Sequence, residues 1–289
     1  MLNRQKAILC ILKKAGRAVH RLELTKWCFL LSREMPSKGG ASFYQFVPYH
    51  YGPFSFCLYR EADTMVAEQY LEELDNKTWA LAGRSPTPTR NLSRSITKDI
   101  SNLVERFKNK SLPELIDYIY TRYPFFTVNS RQGKRMARPV APLAVYTAGY
   151  EGLLIDGFLN MLVQRGITRL IDIRNNPVSR RYGFHKTTLD RLCRSLDIEY
   201  VHVPELGINS QYRRNLKTLD DYHEIFTNYK AVTLKVELNA IDKVTILVRE
   251  KPSVLVCMEA DPVYCHRTLL AKHIAEKTSL PVKHLDSSE

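Results

Sequence analysis

The sequence predicts an α/β protein: a mostly parallel sheet with helices on both faces, preceded by a mainly helical domain. Three observations carry this. From Leu143 onward, short apolar runs alternate with amphipathic stretches, the texture of parallel strands joined by crossover helices. Before residue 126, apolar residues recur mostly at helical spacing. The 289 residues also exceed the roughly 100 to 200 of a typical domain. Two domains are therefore expected, 1–126 and 143–289, joined by a basic linker over 127–142.

In the first domain, Ile8, Leu9, Ile11 and Leu12 form a helical stripe that stops at Gly16. Leu24, Trp27, Cys28 and Leu31 form a second, and the turn between them suits a helix-turn-helix. Phe43 to Tyr51 reads as extended and aromatic up to the Gly52-Pro53 break. Leu58 to Leu74 reads as one helix, with Phe54 or Ser55 near its start. Phe43, Phe46 and Phe54 are expected in the core, leaving Tyr44, Tyr49, His50 and Tyr51 to face a ligand. A short strand is expected at Thr78–Leu81, a wing or linker at Gly83–Arg94, and helices at Ile96–Lys108 and Pro113–Tyr120 with Ser111 as N-cap. Thr127–Pro142 has basic residues, no acid and two prolines; Lys134 and Arg135 are its candidate phosphate contacts, against a plain solvated linker.

In the second domain, strands are expected at Leu143–Thr147, Arg169–Ile173, Ile198–Val203, Ser253–Met258 and Pro281–His284. Helices are expected at Leu153–Arg165, Thr187–Leu196, Leu219–Tyr229, Leu234–Arg249 and His266–Glu276.

Charge separates the halves. Of 43 Lys and Arg and 30 Asp and Glu, residues 1–138 hold 23 and 12, and the rest 20 and 18. One basic domain beside a nearly neutral one points to a polyanion, nucleic acid and DNA first, with a solvated basic surface as the bland alternative. No apolar run nears the roughly 18 residues of a membrane span, and six scattered cysteines without paired spacing match free thiols. A cytoplasmic protein without membrane or secretory segments is expected.

In a parallel sheet, ligands bind beyond the carboxyl ends of the strands, so residues there are the candidate site. Tyr146, Gly149 and Tyr150 end the first strand, where glycine lets backbone approach a ligand. Asp172, Arg174, Ser179 and Arg180 follow the second, a carboxylate among guanidinium groups. His202, Glu205 and Gly207 follow the third, with Tyr212, Arg213 and Arg214 beyond. Glu259, Cys265, His266 and Arg267 follow the fourth. Cys265 at a helix N-terminus beside Arg267 would favour a thiolate, against the reading of a half-buried structural thiol. His266 is a candidate acid or base. Metal ligation by Cys257, Glu259, Cys265 and His266 is set aside, because the spacing matches no standard site and adjacent ligands on a helix diverge. No metal and no cofactor is expected.

Two resemblances follow from these residues. Tyr51-Gly52-Pro53 ahead of Leu58-Tyr59 resembles the Panacea family of antitoxin-like, winged helix-turn-helix domains, over residues 4–80. Residues 143–286 resemble the domain-of-unknown-function family numbered four hundred and eighty-eight. The matching blocks are Tyr146 to Tyr150, Leu170 to Arg174, Pro177 to Arg180, Phe184, Tyr200, Leu206-Gly207, and Glu259 with Cys265-His266-Arg267. That resemblance implies a Rossmann-like sheet with a polar pocket, and no named reaction.

The expectation is a nucleic-acid enzyme, a hydrolase closer to a glycosylase than a nuclease, because no clustered carboxylate metal site is written here. Asp172 or Glu259 would act as base or stabilise a sugar cation, while Arg174, Arg180 and Arg267 bind phosphate or a leaving group. The alternatives are a DNA-binding regulator that senses a small anion, and action on a free nucleotide.

Overall fold

The computed structural model describes residues 1–83, 92–209 and 219–286, so residues 84–91 and 210–218 lie outside it, with most of the expected wing and with Tyr212, Arg213 and Arg214. Backbone contacts divide the chain into two compact units, Met1–Arg138 and Pro139–Glu289.

The first unit is helical with small antiparallel sheets. Helix α1 (Asn3–Ala15) ends on Gly16 in the left-handed conformation, β1 spans Val19–His20, and α2 spans Arg21–Glu34 with the His20 ring as its cap. A hairpin of β2 (Val47–Tyr49) and β3 (Gly52–Phe54) follows, turning at His50-Tyr51. The sequence reading missed this hairpin. Helix α3 (Phe56–Ala67) is capped by the Ser55 hydroxyl, which accepts from Leu58 N at 3.2 Å.

The helix expected as far as Leu74 stops early. Gln69 sits at φ 60, a left-handed turn, and Leu71–Leu74 becomes β4, paired with β5 (Thr78–Leu81). Leu71 and Leu74 fit helical spacing as well as strand spacing, which explains the misreading. The sheet order is β1-β5-β4. Helices α4 (Arg94–Phe107) and α5 (Leu112–Arg122) complete the unit, the latter with a Ser111–Glu114 capping box. Phe29 on α2 packs edge-on against Phe46 and Phe126, and Phe43 and Phe46 are buried as expected, whereas Phe54 is half-buried.

The second unit is a five-stranded parallel sheet flanked by helices, as expected. The strands are β6 (Val145–Gly149), β7 (Arg169–Asp172), β8 (Glu199–His202), β9 (Ser253–Cys257) and β10 (Val282–Leu285), in the order β10-β6-β9-β7-β8. Helices α6 (Ile155–Gln164) and α7 (Lys186–Arg194) make the first two crossovers. The third is α8 (Leu219–Asn228), a π-helical stretch Tyr229–Thr233, α9 (Leu234–Val236) and α10 (Leu238–Glu250), so the single helix expected over Leu234–Arg249 is broken at Glu237. Helix α11 (Arg267–Thr278) leads from β9 to β10.

Val145, Ile171 and Leu255 form a core with Ile241, Val244 and Val248 of α10 and Leu270, Ala271 and Ile274 of α11. Strand residues of the other parity, among them Leu170 and Asp172, point to the opposite face.

This order positions the crevice. Strand β7 passes its chain outward to β8, whereas its neighbour β9 passes its chain the other way, over β6, to β10. Adjacent strands whose connections leave in opposite directions open a cleft at their carboxyl ends. That rule puts the candidate cleft at the carboxyl ends of β7 and β9, by Asp172 and Cys257.

Candidate functional site

On the β7 side, Asp172 and Arg174 form a closed network. The Asp172 carboxylate is fully buried; Oδ1 accepts from Arg174 Nε at 2.8 Å and Arg174 N at 3.1 Å, and Oδ2 from Arg174 Nη2 at 2.5 Å and Tyr200 Oη at 2.7 Å. Its four lone-pair positions are thereby occupied. Arg174 Nη1 donates to Tyr150 Oη at 2.8 Å and Phe184 O at 2.9 Å, and the Tyr150 ring stacks on Phe184 at 4.2 Å. Burial alone would lower the Arg174 pKa, but its hydrogen bonds and charge pairing with Asp172 outweigh that and raise it. Burial, with Asp172 beside it, pushes the Tyr200 phenol well up. The network fixes the wall of the cleft; neither of its charges is presented to a ligand. Ser179 turns its hydroxyl to Arg181 N at 3.1 Å, and Arg180 stands exposed in the loop.

On the β9 side, four chemically active groups meet. Glu259 Oε2 accepts from Cys257 Sγ at 3.1 Å and Cys265 Sγ at 3.0 Å, and each sulfur lies 3.9 Å from His266 Nδ1. Cys257, Cys265 and His266 are buried, whereas Glu259 is half-buried. The ligand atoms of Cys257, Cys265 and His266 all fall within 4.8 Å of one another. These are the residues here that could hold a metal.

The helix starts one residue later than expected. Cys265 is extended (φ −131, ψ 130) and His266 is the N-cap of α11, so thiol and ring converge instead of diverging along a helix. That removes the geometric reason for setting metal ligation aside. Nor is Cys265 an exposed thiolate: burial pushes its thiol up, Cys257 and Glu259 add to this, and Arg267 opposes it. Arg267 is itself 1% exposed and donates to Glu259 O at 2.5 Å and Ala260 O at 2.9 Å, so it clamps the turn after β9 and is not offered to phosphate.

Gly149 serves backbone packing. A Cβ there would lie 1.8 Å from Glu259 O, so the β6 end must be glycine for the Glu259 turn to close over it. Tyr146 points elsewhere: its hydroxyl donates to Pro142 O at 2.9 Å, and it lines a 560 Å³ groove with Lys283 and His284. His202 Nε2 sits 2.9 Å from Arg174 O, and Glu205 is exposed.

Sequence reasoning gave no place in the site to Tyr229, and it reached Cys257 only as a metal ligand set aside and Tyr200 only as part of a family block. Tyr229 opens the π-helical stretch, and its ring packs on His266 at 5.2 Å. Such widened turns recur at functional sites. The signal for Cys257 was its place at a strand's carboxyl end, two residues before Glu259.

In the first unit, the candidate nucleic-acid residues gather at one place. His50 stacks on Tyr49 at 4.0 Å at the hairpin tip, where Tyr51 is exposed. Arg131 N donates to His50 O at 2.9 Å, and Asn129 Nδ2 to Pro48 O at 3.1 Å, tying the segment that carries Lys134 and Arg135 to the hairpin. Lys134 is exposed, whereas Arg135 pairs with Asp117 and Thr121. Beneath the hairpin, Lys26 Nζ donates to Pro53 O at 2.9 Å, and burial lowers its pKa to about 7.

No curated protein and no solved structure matches the chain. Residues 154–274 match the family described as Domain of unknown function DUF488, a match that holds the β7 and β9 sides of the cleft and leaves out the block from Tyr146 to Tyr150.

Proposed function

We propose that the chain is a nucleic-acid-binding enzyme whose second unit carries out hydrolysis at the β7–β9 cleft. The observation that carries this is the half-buried Glu259 carboxylate, held by the Cys257 and Cys265 thiols at the strand ends where a parallel sheet binds its ligands. A carboxylate that reaches solvent amid buried reactive groups is suited to take a proton from water. The favoured reaction is removal of a modified base: water adds across the glycosidic bond, its hydroxyl going to the sugar C1′ and its proton to the departing base. Glu259 is the acid–base group, Asp172 and Arg174 hold the wall, and exposed Arg180 meets phosphate. The hairpin tip, with Tyr51, Arg131 and Lys134, supplies the grip on the nucleic acid.

The test is incubation of the full chain with DNA and RNA oligonucleotides bearing varied base modifications, read by mass for released base. Glu259→Gln should abolish release and leave binding intact. Absence of release from every substrate, or unchanged turnover by the variant, would refute the reading.

One observation favours a regulator instead. The order α1-β1-α2-β2-β3-α3-β4-β5, with its three-stranded sheet β1-β5-β4, is similar to a winged helix that carries an extra hairpin between its second and third helices, and in a winged helix the recognition helix meets DNA. Yet the exposed charges on α3 and around β4–β5 are Arg60 and Lys77 against Asp63, Glu68, Glu72 and Asp75. That ridge suits a basic protein partner better than phosphate. Charge reversal of Glu72 and Asp75 that strengthens operator-like DNA binding without touching base release would support the enzyme reading with the hairpin as its grip.

A further inference from the structure

We infer that Cys257, Cys265 and His266 form a binding site for a zinc-class divalent cation, with the fourth position left to water. This does not rest on the nucleic-acid reading, since the site would hold its ion whatever the substrate.

The three donors stand close enough to share one ion. With zinc about 2.3 Å from sulfur and about 2.0 Å from nitrogen or oxygen, neighbouring S···N and S···O atoms stand about 3.5 Å apart. Here both sulfurs are 3.9 Å from His266 Nδ1, and 3.1 and 3.0 Å from Glu259 Oε2. Both S···N edges are within about 0.5 Å of what the ion requires, and the three donor atoms all lie within 4.8 Å of one another, gaps that side-chain rotation closes. The backbone explains the convergence: Cys257 closes β9, a short helical turn over Pro262–Tyr264 brings the chain back, and extended Cys265 precedes the helical His266.

The donor set selects the ion. Two thiols and an imidazole are soft or borderline ligands that favour zinc over magnesium or calcium, which want oxygen. All three donors are buried, and the fourth position of the ion is left to water.

Charge also balances. Binding requires both thiols to become thiolates, and their two protons pass to solvent with no change of oxidation state. A divalent cation with two thiolates is neutral, and the Glu259 carboxylate beside both sulfurs leaves one net negative charge. Arg267 is buried against this turn, and among the described residues it forms no ion pair with a carboxylate. Its charge offsets that of the loaded site.

The experiment uses the full chain, purified anaerobically, with metal content measured by plasma mass spectrometry and cobalt used as a spectroscopic stand-in. One zinc per chain is expected, with thiolate-to-cobalt charge-transfer bands and tetrahedral visible bands on cobalt loading. Cys257→Ser and Cys265→Ser should each weaken zinc binding by roughly 100-fold or more. Cys193→Ser, which removes a buried thiol on α7, should leave it unchanged. A wild-type chain without those cobalt bands, or with Cys257 and Cys265 joined as a disulfide, overturns the proposal, and this reading needs no variant to fold. Zinc binding that survives in both cysteine variants overturns it too. Zinc bound by a chain that releases no base would leave the site standing and remove only the glycosylase reading.

Discussion

Lys26 gives the first unit a pH dependence that can be worked out in advance. Its ammonium is enclosed by α2, the hairpin and α5; its Nζ has Pro53 O as partner, and burial takes its pKa from 10.5 to about 7. The folded-state pKa is the lower one, so between these values the unfolded chain binds more protons and stability rises with pH. The penalty is absent above pH 10.5 and complete below pH 7. At 1.36 kcal/mol per pKa unit, the gap corresponds to about 5 kcal/mol, of which about 2 kcal/mol is recovered between pH 7 and pH 9.

Lys26→Met removes the titration and fills the space with an apolar chain of similar length. At pH 7 the variant should gain about 4 kcal/mol from the lost penalty and forfeit about 1 to 3 for the buried Pro53 carbonyl left without its donor, a net gain of about 2. Both tryptophans, Trp27 and Trp79, lie in this unit, so urea unfolding followed by tryptophan fluorescence reports it alone. Comparison with the variant cancels every other group that titrates in this range. If wild type and Lys26→Met run parallel from pH 7 to pH 9, the lysine is charged or hydrated in the folded state and the reasoning fails.

Three further outcomes are expected. Arg174→Met strands the buried Asp172 carboxylate and should cost the second unit about 3 to 5 kcal/mol, measured by circular dichroism in urea; adding Asp172→Asn should restore part of it. Gly149→Ala sets a methyl group against backbone that cannot yield, so a loss above about 3 kcal/mol is expected, and a melting temperature equal to wild type would mean that the Glu259 turn packs differently. Arg131→Ala with Lys134→Ala should flatten the plot of log affinity for nucleic acid against log salt by up to about 2, and an unchanged slope would move the grip off the hairpin tip.

The parallel sheet was legible because buried strands such as β9 are continuous apolar runs between helical stretches, a pattern local in the chain. The cluster was only half legible. Glu259, Cys265 and His266 stand together in sequence, but their convergence depends on Cys265 being extended where the next residue is helical, a single change of backbone torsion that spacing does not encode. The Asp172 network was hidden for another reason: Tyr200, whose hydroxyl completes it, comes from the neighbouring strand 28 residues away. The hairpin under Tyr51-Gly52-Pro53 was missed because Pro48 and Pro53 face each other across it, and prolines argue against a strand unless the pairing is short and at an edge.

The order β10-β6-β9-β7-β8 also bears on how the second unit comes into being. Strand β9 lies between β6 and β7, yet some 80 residues separate the end of β7 from its start. During synthesis β6 and β7 therefore leave the ribosome as strands with a vacancy between them, and the sheet closes only when its middle member arrives. Pairing over such sequence distances is slow, and until then two apolar edges stand open to wrong partners. The strand that fills the gap ends in Cys257 and leads directly into Glu259, Cys265 and His266. The reactive cluster is thus assembled last, by the same insertion that seals the sheet, and an incompletely folded chain carries thiols but no site.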